Sequence, residues 1–529
     1  MLPILTAAQM QQVDRETIEV LGLPGAVLME SAGRAVVEAI KNCPQTCQSR
    51  RPVVLCGKGN NGGDGFVVAR YLSSFAGHGF PLVFLCGKLS DLSGDAATMA
   101  RVAVNCGVKV IELSEEKLPE FASALKKADL AVDGLLGSGA SGSPRGLTAQ
   151  VIEMLSEYLV PVVAIDSPSG VEMDTGRIPG AAVNAMLTVT FGFEKIGHRL
   201  YPGRSLCGDV VVADIGFPEV AVQKARCSIF VSEACDIKHR LPVRKIDSHK
   251  GDYGKILVLG GSTGLTGAPV MTCETALVCG AGMVTAAVPA SLNPVFEMKM
   301  TEAMTRPFAD RGSGALQPEA LEAIEQFARD MDVLAIGPGL GRDEGTVRLV
   351  LDLAPKVKKP VVIDADGLNA FSHDPERLSL FAGSAVITPH PGEMARLSKL
   401  DPEQIKSSPI KVARDFASKL GVVVLLKGSP SCTAEPGGRV VLNPTGGPAL
   451  SKAGSGDVLT GIIAALLAQG LEVFDAAFCG AYLHGLAGDI AAGKLGQYSV
   501  VATDLIAFLP QAIAEIAASF SDPGGTKVH

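Results

Sequence analysis

The chain has 529 residues, 47% of them hydrophobic and 60 of them glycine, with a net charge of −8. That length exceeds one ordinary core and predicts two or more domains. The acidic balance, with no long basic run, argues against a nucleic-acid surface and for small-molecule chemistry.

No uninterrupted apolar run reaches the length of a membrane span, and Met1-Leu2-Pro3-Ile4-Leu5 lacks the basic and apolar regions of a signal peptide. The 12 cysteines show no paired metal-binding spacing, and many lie in apolar runs, among them Cys56, Cys86 and Cys279. They read as reduced thiols, mostly core, of a cytoplasmic protein.

In chain order, apolar spacing predicts helices over Thr6–Val20, with Thr6 as N-cap, and Gly25–Asn42. The apolar strand Pro52–Cys56 then runs into Gly57-Lys58-Gly59-Asn60-Asn61-Gly62-Gly63-Asp64-Gly65 and a helix through Val67, Val68 and Leu72. Strand, glycine loop, helix is the phosphate-cradling unit of a doubly wound sheet. The built-in asparagines and aspartate suggest oxygens facing a polar ligand or a cation.

Further strands are predicted over Pro81–Cys86, Val108–Leu113, Asp129–Asp133, Val160–Asp166, Met186–Phe191 and Val210–Asp214. Alternating strands and helices imply a parallel sheet covered on both faces, with ligands at the carboxyl ends of its strands. Asp133 falls at such an end and leads into the glycine-rich stretch 134–146; Asp166 leads into Ser167-Pro168-Ser169-Gly170. A single acidic strand end is more often a turn former. Loops carrying Asn61, Asp133, Asp166 and Ser169 that converge at one edge favour a site.

Four motifs then stand in order: Gly57–Gly65, Val132–Gly137, Ile165–Gly170 and Phe191-Gly192-Phe193-Glu194-Lys195-Ile196-Gly197. Together they resemble the NAD(P)H-hydrate epimerase family across nearly the whole first half. That family interconverts the R and S epimers of hydrated nicotinamide cofactors. The resemblance implies that Asn60, Asn61, Gly62, Gly63 and Asp64, with Gly137, Ser138, Gly139, Ala140, Ser141, Gly142 and Ser143, hold the hydrate. It further implies a potassium ion on Asn61, Asp133 and Ser169, and Asp166 at the reacting end, chosen for proton transfer, with Lys195 a weaker candidate. Ser167 departs from the family, which more often has an aliphatic residue there.

Between about Ala225 and Lys250 the periodicity loosens around Pro242 and mixed charges, and residues 227–246 read as a linker or docking segment between domains 1–226 and 247–520. A new alternation follows, with strands at Lys255–Leu259, Val284–Val288, Val333–Ile336, Val361–Asp364, Ala385–Thr388 and Val422–Lys427. Polar stretches sit at strand ends: Gly337–Gly341, Asp364–Asn369, Thr388–Glu393 and Lys427–Ser431. His390, held between two prolines, is either a ligand contact or a structural histidine. Lys427 is either a solvated strand end or a phosphate contact.

Last comes Ala453-Gly454-Ser455-Gly456-Asp457-Val458-Leu459, a turn that opens a helix ended by Gly470. Its free N–H groups and dipole suit an anion, and Asp457 could take a hydroxyl proton during phosphoryl transfer. The plainer reading is an aspartate capping a core helix.

The layout resembles the ribokinase-like fold. Leu265–Pro269, Gly337–Gly341, Asp364–Asn369, Thr388–Glu393 and Ala453–Leu459, in order, resemble the ADP/ATP-dependent NAD(P)H-hydrate dehydratase family over about Asp247 to Leu509. The resemblance implies that Ala268, Gly339, His390 and Asp457 face the hydrate, with Asp457 catalytic. It also implies that Lys427, Gly428, Ser429, Pro430, Ser431 and Gly456 face the nucleotide, ADP or ATP, with magnesium. Ser455 stands where that family often has threonine, and keeps the hydroxyl.

The two halves together imply one bifunctional repair enzyme, a Rossmann-like sheet followed by a ribokinase-like domain. Its substrates would be the hydrates of NADH and NADPH (NADHX and NADPHX) and a nucleotide, and a homo-oligomer without nucleic-acid or membrane partners is expected. The rival reading is a small-molecule kinase fused to a non-catalytic nucleotide-binding module.

Overall fold

The computed structural model describes residues 1–74 and 79–519. The described residues divide into two compact units, one of residues 3–227 and the other of residues 1–2 and 228–519. Among the described residues no helix is long and apolar enough to cross a membrane.

The first unit holds seven parallel strands: β1 (Pro52–Cys56), β2 (Leu82–Leu85), β3 (Lys109–Glu112), β4 (Leu130–Gly134), β5 (Val162–Ile165), β6 (Leu187–Phe191) and β7 (Asp209–Ala213). They lie in the order β3-β2-β1-β4-β5-β6-β7. β1, β4 and β6 are buried along their whole length, as a sheet covered on both faces requires. Successive residues point to opposite faces. Val54 and Cys56 therefore join the core under helices α2 (Gly25–Asn42), α3 (Asn60–Ser73) and α4 (Gly94–Asn105), whereas Val53 and Leu55 pack with α5 (Leu118–Leu125) and α6 (Gly146–Glu157). The strand order reverses between β1 and β4, and the loops leaving those two strands flank the resulting crevice, the usual ligand position in such sheets.

The predicted first helix keeps its bounds but changes type part-way. Helix α1 spans Ala7–Arg15, with Thr6 capping it in a capping box, and one π-helical turn continues over Glu16–Val20. Leu2–Leu5 and Glu194–Lys195, too short to show a period, form a parallel pair.

The second unit contains β8 (Ile229–Val231), β9 (Lys255–Leu259), β10 (Met283–Pro289), β11 (Met304–Phe308), β12 (Val333–Ile336), β13 (Val361–Ile363), β14 (Ala385–Ile387), β15 (Val423–Leu426), β16 (Cys432–Ala434) and β17 (Val440–Leu442). They follow the order β11-β10-β9-β12-β13-β14-β15-β16-β17-β8. Pairing is parallel from β11 to β15 and antiparallel through β15-β16-β17. Helices α7 (Gly267–Val278), α8 (Ser455–Ala468) and α9 (Val473–Leu495) share one large core with this sheet. The segment 227–246, read from sequence as linker or docking segment, carries β8, paired with β17, and a short helix over Ala234–Lys238. Edge strand β11 escaped the sequence reading because Met304, Arg306 and Pro307 are exposed and break the apolar pattern.

All 12 cysteines are free thiols. Only half are fully buried; Cys106 is exposed and Cys86 faces a cavity, so the expectation of mostly core thiols was too broad.

Candidate active sites

In the first unit, the loop after β1 closes tightly on itself. A Cβ on Gly57 would lie 2.0 Å from the Leu135 carbonyl oxygen, and one on Gly62 would lie 1.9 Å from that of Gly57. Only glycine permits that approach. It sets the N-terminus of α3, with its unpaired N–H groups, at the mouth of the crevice.

A cavity of about 650 Å³ opens there. Asn60, Asn61, Asp64, Gly137, Ser138, Gly139, Ala140 and Asp166 line it, so the structure brings most of the expected hydrate-binding positions together. Gly62 and Gly63 are buried behind the wall, and Ser141, Gly142 and Ser143 are exposed outside it.

Asp166 ends β5 in the left-handed region, at φ 62°, which aims its carboxylate into the cavity. Lys195 Nζ, almost wholly buried, donates to Asp166 Oδ1 at 2.6 Å and to Thr190 Oγ1 at 2.7 Å. Thr190 Oγ1 also donates to Asp166 Oδ1 at 3.1 Å, and the Ser138 N–H donates to Asp166 Oδ2 at 3.1 Å. Burial pushes the Asp166 carboxyl up, but the Lys195 ammonium and these donors outweigh it and hold it well below the usual carboxylate range. His198 Nδ1 accepts from the Lys195 N–H at 3.1 Å, leaving Nε2–H to face the Asp166 carbonyl at 3.1 Å. Burial, reinforced by Lys195, depresses His198 to about 3, so it stays neutral and braces the pair.

Asn61, Asp133 and Ser169 also converge. Asp133 is fully buried and accepts from the Ser169 N–H at 2.8 Å, Ser169 Oγ at 2.7 Å and the Leu135 N–H at 3.2 Å. The Leu136 N–H donates to Ser169 Oγ at 2.9 Å, and Asn61 Nδ2 donates to the Leu136 carbonyl at 3.0 Å. Burial raises the Asp133 carboxyl to about 6 against those hydrogen bonds. A buried carboxylate ringed by amide, hydroxyl and carbonyl oxygens is a donor set suited to a hard cation.

In the second unit, Gly454 adopts φ 88° and turns the chain into α8, placing Asp457 in its first turn. The Asp457 carbonyl accepts from Thr272 Oγ1 of α7 at 3.0 Å, which ties the turn to that helix. Ser455 is held from behind: its Oγ lies 3.0 Å and its carbonyl 2.9 Å from Nε2 of buried His484. Burial lowers His484 to about 4, so this contact is neutral at physiological pH.

Lys427 does not extend into solvent as a bare strand end. Its Nζ donates to Asp364 Oδ1 at 2.8 Å and lies 3.8 Å from Glu393 Oε2. Asp364 Oδ2 accepts from Thr460 Oγ1 at 3.0 Å. A Cβ on Gly456 would lie 3.3 Å from Asp364 Oδ2 and 3.4 Å from Lys427 Nζ, so the pair stands directly against the turn. Burial first, then the negative Asp364, raise Asp457 to about 7, with Lys427 opposing. Glu393, also raised by burial to about 7, accepts from the His390 N–H at 2.8 Å. His390 is half-exposed, its Nδ1 capping α-helical Pro391–Ser398 through the Gly392 N–H at 3.0 Å. Gly339 sits against Ala268: a Cβ there would be 3.3 Å from that of Ala268. In the nucleotide stretch, the Ser431 hydroxyl donates to the Gly428 carbonyl at 3.2 Å and closes the loop on itself.

Sequence reasoning passed over Asp14, Thr190 and His198 in the first unit, and Asp364, Glu393, Thr460 and His484 in the second. Asp364 and Glu393 carried a usable signal, since each belongs to a polar stretch at a predicted strand end. Thr190, His198 and Thr460 directly adjoin the quoted motifs without belonging to them, whereas Asp14 and His484 lie on helices far from any glycine motif.

Two family models match the chain: one described as NAD(P)H-hydrate dehydratase over residues 256–511, and one described as YjeF-related protein N-terminus over residues 25–197. A protein of Moorella thermoacetica named bifunctional NAD(P)H-hydrate repair enzyme is 45% identical over 517 residues, which cover 97% of this chain and 97% of the relative. The chain belongs to the bifunctional NAD(P)H-hydrate repair enzymes. It is a multifunctional enzyme of metabolite repair, an isomerase and a lyase in one polypeptide. A protein of the same name from Thermofilum pendens is 37% identical over 519 residues, 98% of each chain. Among solved structures, the ADP/ATP-dependent NAD(P)H-hydrate dehydratase of Bacillus subtilis co-crystallized with ATP and Mg2+ is 26% identical, with a TM-score of 0.46, covering 54% of this chain and 98% of that one.

Proposed function

We propose that the cavity between β1 and β4 epimerises NAD(P)H hydrates and that the α8 turn carries the nucleotide-driven dehydration of the S epimer. In the first unit, Asn60–Asp64 and Gly137–Ser143 hold the phosphates and sugars of the hydrate, and Asp166 contacts the reacting ring as a proton acceptor. A potassium ion on Asn61, Asp133 and Ser169 fits that buried oxygen set, and its charge would supply electrostatic support for the hydrate's phosphates.

In the second unit, Ala268, Gly339, His390 and Asp457 face the hydrate, and Lys427–Ser431 with Gly456 face ADP or ATP. Asp457 takes the proton of the ring hydroxyl as that oxygen attacks the transferring phosphorus, and the bond from that phosphorus to the nucleotide's bridging oxygen breaks, releasing the nucleotide one phosphate shorter. The N–H groups from Gly454 to Asp457 stabilise the charge on the phosphoryl oxygens. Phosphate then leaves with the C–O electron pair, which hydroxide would do poorly. Loss of a proton from the neighbouring carbon restores the ring double bond. Both oxygens of Asp364 are engaged, by Lys427 and by Thr460. That arrangement fits magnesium carried on the nucleotide's phosphates, with Asp457 as the open carboxylate.

The observation that carries the dehydratase reading is the position of Asp457: first turn of α8, beside Asp364 and Lys427, and poised near neutrality. Twelve free thiols suit a reducing cytoplasm, and a homo-oligomer completes the reading, open to light scattering. The deciding experiment incubates the enzyme with a racemic NADPH hydrate, magnesium, potassium and either nucleotide, and follows absorbance at 340 nm. Recovery beyond the S fraction supports both activities. Recovery that stops at the S fraction removes the epimerase assignment, and a stable phosphorylated product without NADPH replaces the dehydratase with a kinase.

A further inference from the structure

Helix α1 forms one wall of the epimerase cavity. Ala7, Met10, Gln11 and Asp14, with Ile18 in the turn beyond, face it at helical spacing, and Asp14 is the one titratable group among them. Its carboxylate makes no hydrogen bond or ion pair with any described residue, although the charges of Lys195 and Asp166 both reach it. A carboxyl on the inward face of a helix, half-buried and without a protein partner, is costly unless something in the cavity engages it.

Asp166, by contrast, is fully committed. Its Oδ1 accepts from Lys195 and Thr190, and its Oδ2 from the Ser138 N–H. It is therefore held ionised and cannot supply a proton. Epimerisation of a hydrate needs a group that does. The hydroxyl stands on the carbon bonded to the ring nitrogen, and inversion through loss and return of water requires that the departing oxygen be protonated.

We infer that Asp14 is a second catalytic residue of the epimerase, the acid that protonates the departing hydroxyl, while Asp166 serves as base. The inference rests on the epimerase reading of this cavity. Asp14 gives its proton to the hydroxyl oxygen. The C–O bond breaks with its electron pair on the departing water, and the ring-nitrogen lone pair forms C=N⁺. Water adds to the opposite face of that carbon, regenerating the nitrogen lone pair, and passes a proton to Asp166. Proton exchange with solvent resets both carboxyls.

Two carboxyls in one pocket whose environments drive them apart mark an acid and a base. Burial first, then the negative Asp166, raise Asp14 to about 6 against the pull of Lys195. The other titratable groups lining the cavity are Lys58, Asp64, Cys86, Asp95, Asp166 and Lys195. Burial, with the Asp166 and Asp14 charges adding to it, pushes the Asp64 carboxyl well above the usual carboxylate range.

The test follows conversion of purified R-epimer to S-epimer by chromatography, without nucleotide, across about pH 5–8, the usual range of maximal stability. Wild type should lose kcat/KM as pH rises through the Asp14 transition. Asp14→Asn should lose that falling limb and at least about 100-fold in kcat, the low end for general acid catalysis, with KM little changed. Asp14→Glu should restore part of the rate. A thermal unfolding profile like that of the wild type reports that the Asp14→Asn chain is folded in both units. An Asp14→Asn enzyme with the wild-type rate and falling limb, or a loss confined to KM, overturns the inference while leaving the epimerase reading intact. A wild-type chain that does not epimerise overturns both.

Discussion

Lys427 Nζ lies 2.8 Å from Asp364 Oδ1, and this pair, not Lys427 alone, faces the Gly-Ser-Gly-Asp turn. The pair tunes the acidity of Asp457, the base proposed for that turn. Burial and the Asp364 charge hold Asp457 up, while Lys427 pulls it down. At neutral pH Asp457 thus stands near half-ionisation, where a base is both available and strong enough to act.

Dehydration should consequently rise with pH through about 7 as Asp457 ionises. Asp364→Asn removes a negative neighbour and frees Lys427 to favour the Asp457 carboxylate. Both effects lower the Asp457 pKa, so the acid limb of kcat/KM for the S-epimer should move to lower pH. An unmoved limb, or one displaced upward, would show that Asp457 is not the titrating base.

Asp457→Asn keeps the shape of the turn and removes the proton acceptor. Dehydration should fall by about 100-fold or more, whereas R-to-S conversion should continue at the wild-type rate, because Asp457 belongs to the unit from Ser228 onward and Asp166 to the other. Parallel assays on one preparation check this.

Lys195→Met leaves Asp166 beside an apolar chain. Truncating one partner of a buried ion pair costs about 3–5 kcal/mol, and the low Asp166 pKa should rise because burial is then opposed chiefly by the weaker Ser138 and Thr190 hydrogen bonds. Calorimetry should show a lowered first transition, and epimerisation should fail at neutral pH. Retention of both the wild-type transition and the wild-type rate would contradict the bracing role given to Lys195.

Gly62→Ala places a Cβ 1.9 Å from the Gly57 carbonyl oxygen, a backbone atom that cannot swing aside. The loop must open, at a cost of about 1–3 kcal/mol for such overpacking, and the α3 N-terminus shifts away from its anion. Epimerisation should weaken chiefly through KM for the hydrate, with dehydration unchanged, as steady-state kinetics on each epimer would show.

Much of this was legible in the linear chain. Fully buried parallel strands appear as continuous apolar runs, so β1, β4, β6, β12 and β15 announce themselves, and each glycine-rich stretch directly after such a run marks a carboxyl-end loop. Asn60, Asn61, Asp64, Asp166, Asp364 and Asp457 sit in or beside those stretches, which is why a local pattern could find the neighbourhood of both sites. Edge strand β11 was not legible because it carries too few buried residues to set a period, and β8 was not legible because it is only three residues long.

What the sequence by itself determined is the order of alternating elements, the two glycine-shaped turns and the family resemblance, since backbone conformation and apolar periodicity are local properties. What only the tertiary structure decided is pairing and protonation. Lys195 with Asp166 are 29 positions apart, Lys427 with Asp364 63 apart, and Ser455 with His484 29 apart. Asp14 reaches the same cavity from a helix that carries no motif at all. The physical reason is that a carboxyl's charge state depends on desolvation and on neighbours brought close through space, and no spacing along the chain encodes which distant strand end will be that neighbour.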